Sequence, residues 1–78
     1  MIDIFKIINE AGKKEVTLKF KKNSVTADIY GEQLEAQIIG TQLDKENLNI
    51  SRLYIYNESI TLEEILYEDI DSVVIPVI

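Results

Sequence analysis

The sequence predicts one mainly β domain with an N-terminal helix, an α+β chain spanning residues 1–78, with five to six antiparallel strands curled into a small barrel. Three observations carry this. The apolar period changes from 3.6 to 2 after Gly12. Turn-forming clusters at Lys22-Asn23-Ser24, Gly31, Asp44-Lys45-Glu46-Asn47 and Asn57-Glu58-Ser59 then cut the chain into strand-sized runs. Finally, 78 residues that are 46% apolar suffice for one thin core, but not for a second domain or a deep enclosed cleft.

The helix is expected over residues 3–11. Ile4, Phe5, Ile8 and Ala11 recur at helical spacing, and Asp3 is placed to cap the first turn. Gly12 supplies the left-handed residue that ends it, with Lys13 and Lys14 at the negative end of its dipole. So short a helix does not hold alone in water, and its apolar stripe must dock on the strands.

Val16, Leu18 and Phe20 alternate with Glu15, Thr17, Lys19 and Lys21, as in a strand with one solvated face. After the turn at residues 22–24, Val25, Ala27 and Ile29 read as the inward phase of a second strand that Gly31 breaks. Residues 32–39 fit a strand through Leu34, Ala36 and Ile38, or a helix capped by Gly40; the hairpin turn at 44–47 favours the strand. Beyond it Leu48 and Ile50 share one phase, while Leu53 and Ile55 share the other. An extra residue near Ser51-Arg52, a β-bulge, produces such a swap of faces. Residues 61–70 are again open, because Thr61 and Glu64 form a capping-box pattern and Leu62, Ile65 and Leu66 have helical spacing. Emergence straight from a tight turn favours a strand over 60–66, a turn over 67–71 and a last strand over 73–78. Pro76 lacks an N–H and belongs at an edge or where pairing stops.

The layout of a short helix, "GKKEVTLKFKKN", a long hairpin and a closing "YEDIDSVVI" resembles the Sm-like and SH3-like small barrels. Within that group it is most similar to the bacterial YolD-like proteins. What the resemblance implies is the barrel and not an RNA site. Sm-like RNA binders carry an Asp and an Asn four residues apart, and an Arg-Gly after the fourth strand. Here Asp44 and Asn47 are three apart, and Ile65-Leu66-Tyr67 stands where the Arg-Gly would fall.

Composition narrows the chemistry. His, Cys and Trp are absent and Arg52 is the only arginine, whereas fourteen residues are acidic. No imidazole proton shuttle, thiolate nucleophile, disulfide or thiolate metal site can be built from this set. Glu63 and Glu64 would point to opposite faces of a strand, and Glu68-Asp69-Ile70-Asp71 lacks the glycine and closing Glu of a calcium loop. The glycines at 12, 31 and 40 form no phosphate loop. No catalytic residue, cofactor or metal ligand is therefore expected. A net charge of −6 opposes nucleic-acid binding, and Lys13, Lys14, Lys19, Lys21 and Lys22 read as a solvated face. No apolar run approaches the ~18 residues of a membrane span. Asp3 stands in the region where a signal peptide is basic, so the cytoplasm is the expected location. Fourteen Ile against one Arg and one Pro hint at an AT-rich source, such as a phage or mobile element.

Charge is lopsided. Residues 1–23 hold six lysines against three acids, a net of +3, and residues 24–78 hold two bases against eleven acids, a net of −9. Glu58, Glu63, Glu64, Glu68, Asp69 and Asp71 follow one another without an intervening base, and suit a basic partner surface. If the bulge turns Leu53 and Ile55 inward, Tyr54 and Tyr56 face outward beside Arg52, the residue types that dominate protein interfaces. The leading expectation is a non-enzymatic protein-binding module, an adaptor or regulator. The alternative is a phage-type inhibitor whose acids mimic nucleic acid and block a DNA-handling host protein such as a CRISPR nuclease. Residues 73–78, apolar after Asp71, are a candidate homodimer edge.

Overall fold

A computed structural model describes residues 4–46 and 48–76. The elements run α1 (Ile4–Ala11), β1 (Glu15–Phe20), α2 (Val25–Tyr30), β2 (Gln33–Leu43), β3 (Ile50–Asn57) and β4 (Thr61–Leu66), then a 3₁₀ turn (Tyr67–Asp69) and β5 (Ile70–Val74). All five strands join one antiparallel sheet in the order β4-β3-β2-β1-β5. The sheet is open: β4 and β5 are its edges.

The alternation in β1 buries Val16, Leu18 and Phe20 as expected. Together with Ala36, Ile38, Leu53, Ile55, Ile65 and Ile70 they form one core, which α1 closes with Ile4 and Ala11. Gly12 ends α1 at φ 58°, its N–H donating to the Ile8 carbonyl at 2.9 Å. Phe5 departs from the expected stripe, being 61% exposed, while Ile7 and Ile8 are half-buried. Asp3, the expected cap, lies outside the described residues.

Residues 33–43 are a strand, as favoured. The face swap in β3 is a bulge: Arg52 pairs with Gln42 and Ile50 with Leu43, leaving Ser51 as the extra residue. A second bulge, at Ile39 of β2, leaves Ile38 opposite Ile55 and Gly40 opposite Tyr54. Residues 61–66 are also a strand rather than a capped helix.

Two expectations are corrected. Val25, Ala27 and Ile29 belong to the helix α2, not to a strand. Ser24 Oγ accepts the Ala27 N–H at 3.0 Å, and Gly31, at φ 89°, closes the helix by donating its N–H to the Ala27 carbonyl at 2.8 Å. Val25 and Ile29 consequently face outward at 64% and 65% exposure, and Thr26 is the buried residue. The last strand is also displaced. It begins at Ile70, absorbs Asp71 and ends at Val74, before Pro76, and residues 77 and 78 lie outside the described part.

Candidate functional site

The bulge at Ser51 decides which side chains of β3 meet solvent. Leu53 and Ile55 are fully buried at 0% exposure, so Arg52, Tyr54 and Tyr56 project from the outer face. The β3–β4 register sets Leu66, Glu64 and Leu62 opposite them in that order. On the other flank β2 presents Gln42, Gly40 and Gln37.

The two tyrosines differ in their surroundings. Tyr54 leans over Gly40, where an added Cβ would lie 3.6 Å from its ring, and its hydroxyl donates to Gln42 Oε1 at 3.1 Å. It is half-buried and partly structural. Tyr56 is 43% exposed and faces Leu62, which is 59% exposed. Arg52 pairs with Glu64 from the neighbouring strand, with both side chains well exposed, a contact worth about 0–1 kcal/mol.

Beside Tyr56 lies a concavity of about 570 Å³, bounded by Glu15, Glu35, Gln37, Asn57, Glu58 and Ser59. Asn57 holds its rim. Its Nδ2 donates to the Glu35 carbonyl at 3.0 Å, and its Oδ1 accepts the N–H groups of Ser59 and Ile60 at 2.9 and 2.8 Å. Three carboxylates thus line a concavity with an exposed aromatic ring at the end of β3, an arrangement suited to a cationic side chain.

The structure brings together Arg52, Tyr54, Tyr56 and Glu64, with Glu58 at the end of the same hairpin, and separates the other acids. Glu63 sits opposite Ile55, on the other face from Glu64. Burial, and secondarily the Glu63 charge, raise the Tyr30 phenol above its ordinary 10.0. The folded state therefore holds the Tyr30 proton more tightly than the unfolded one. Stability from this source is fully present below pH 10.0 and is lost as pH rises through the folded-state value. Urea unfolding across that range should show the loss, and Tyr30→Phe should flatten it. Glu68 is exposed on the 3₁₀ turn. Asp71 lines a different concavity of about 600 Å³ with Lys19, Lys21, Lys22 and Glu32.

Asp69 has an internal task. Its Oδ2 accepts the Thr26 hydroxyl at 2.6 Å and the Thr26 N–H at 3.3 Å, while its carbonyl accepts the Lys21 N–H at 2.8 Å. It ties the 3₁₀ turn to the first turn of α2.

Glu15, Glu35, Gln37 and Leu62 join the site only through cross-strand register, which the phase of a single strand does not reveal. Among the described residues, no three or more Asp or Glu side chains are grouped so as to hold a metal ion, and no helix is long and apolar enough to cross a membrane. Compared with protein-family models, curated proteins and solved structures, the chain matches none of them.

Proposed function

We propose that the chain is a non-enzymatic protein-binding module, an adaptor or regulator, whose working surface is the outer face of the β3–β4 hairpin. The observation that carries this is Tyr56 and Leu62 in register and both exposed, with Glu58 and Glu64 on the same hairpin and Glu15 and Glu35 across the adjoining concavity. An apolar centre with an acidic rim fits a partner that brings an apolar contact and basic side chains. Tyr in such a setting is the residue type that carries binding energy.

The dispersion of the acids supports this over the nucleic-acid mimic. A mimic needs carboxylates in a row on one face, whereas Glu63 and Glu64 diverge and Asp69 is engaged with Thr26. The small-barrel reading draws support from Ile65 of one edge strand and Ile70 of the other being buried in one core.

The test starts from capture of the partner from the native host, identified by mass spectrometry. Tyr56→Ala, confirmed as folded by circular dichroism, should mainly speed dissociation and cost about 2 kcal/mol or more. Neutralising Glu58 and Glu64 should instead slow association and flatten its salt dependence. Unchanged dissociation of folded Tyr56→Ala would sink the proposal.

A further inference from the structure

We infer that the partner is engaged by strand addition at the free edge of β4, through an extended segment carrying two adjacent basic residues. This rests on the β3–β4 face being the working surface, and adds how the partner meets it.

β4 pairs with β3 without interruption from Thr61 to Leu66, and with no other strand among the described residues. Alternate N–H and C=O groups along its far side therefore lack a sheet partner. Folded proteins blunt such edges with Pro, bulges and charged side chains. β4 has no Pro, Lys or bulge, and its charges are Glu63, on the core side, and Glu64, so the edge turns away strands that bring no base. The opposite edge is blunted. β5 is interrupted by a register shift next to Ile70, and Pro76, which has no N–H to donate, follows close behind its end. Of the two edges, β4 is the regular one.

The side chains on β4 select the occupant. Consecutive residues of a strand point to opposite faces, so Glu63 and Glu64 present one carboxylate on each side of the seam. An incoming strand with two adjacent Lys or Arg residues answers both at once. A neighbouring apolar residue on the outer side would then reach Leu62, beside Tyr56. Among the described residues Glu63 makes no ion pair, and the bond from Arg52 to Glu64 is exposed and can be shared. A second copy of this chain fits poorly. Its β4 would bring two more glutamates to the seam, and like charges facing each other across strands are destabilising. Its β1 holds one lysine and is already paired on both sides, and its adjacent lysines, Lys13-Lys14 and Lys21-Lys22, lie outside the strands. The occupant is therefore a basic, β-forming segment of another protein.

The probe is the peptide acetyl-Val-Thr-Lys-Lys-Thr-Val-amide, titrated into the ¹⁵N-labelled full chain with amide hydrogen exchange followed by NMR. The expected result is shifts at Tyr56 and Leu62, together with at least tenfold slower exchange at alternate amides of β4. N-methylation of one alternate set of peptide nitrogens, which leaves every charge in place, should abolish the protection, while methylation of the other set should not. Shifts at Tyr56 without protection on β4, and indifference to N-methylation, would overturn strand addition and leave the binding face standing. Protection on β5 instead, or no shift anywhere, would also overturn the inference; the binding face is judged separately by partner capture with Tyr56→Ala.

Discussion

Ile55→Asp is expected to abolish cooperative folding, whereas Tyr56→Asp, one residue further on, should leave the domain folded. The two positions differ in phase. Ile55 is at 0% exposure in the core, packed with Leu53 and Ile65, and Tyr56 is 43% exposed on the outer face. Burying a carboxylate without a partner costs several kcal/mol, and loss of the isoleucine side chain adds roughly 2–5 kcal/mol. A domain of 78 residues has only about 0.05–0.15 kcal/mol per residue to lose, roughly 4–12 kcal/mol in all. Ile55→Asp therefore removes most or all of the stability, while a surface substitution such as Tyr56→Asp stays within about 1 kcal/mol. Urea unfolding followed by circular dichroism reads both. An unfolded Tyr56→Asp beside a folded Ile55→Asp would reverse the face assignment and dissolve the candidate site with it.

That face assignment was legible in the sequence because it depends on one strand at a time. The run from Leu48 to Ile55 carries two incompatible phases, and only an extra residue between them reconciles these, so the bulge at Ser51 could be inferred before its partner strand was known. Helix α2 was not legible in the same way. Val25, Ala27 and Ile29 do alternate, but two of the three point to water, because a period of 2 over five residues is also met by the side chains of one and a half helical turns. The usable signal was the pair of caps, Ser24 ahead and Gly31 behind, at the spacing of a short helix. Its decisive support lies far off in the chain, in Asp69, and nothing local to residues 24–31 announces it. The concavity beside Tyr56 was hidden for a related reason. Glu15 and Glu35 come from β1 and β2, and reach the end of β3 only once the register Glu15↔Gln37 and Gln37↔Tyr56 is set.

Asp69→Ala should produce the second large effect, and it separates a structural acid from a binding one. Thr26 is 5% exposed, and both its hydroxyl and its N–H donate to the same carboxylate oxygen. Removing that oxygen leaves two buried donors without a partner, at about 1–3 kcal/mol. It also removes a negative charge from the N-terminal turn of α2, worth roughly 0.3–1 kcal/mol. The expected loss is large for a chain this small, and should be seen as a lowered urea midpoint with an unchanged m-value. Thr26→Val removes the hydroxyl from the other side of the contact, so the double variant should cost less than the two single changes together, by about 0.5–3 kcal/mol. Additive effects would mean that the two side chains do not meet. An Asp69 serving only as surface charge would move stability by no more than about 0.5 kcal/mol on replacement. The same variant bears on function. Asp69 is half-buried and turned toward α2, away from the Tyr56 face, so the folded fraction of Asp69→Ala should bind the partner as the wild type does. A large fall in association rate for folded Asp69→Ala would instead return this acid to the partner-facing surface.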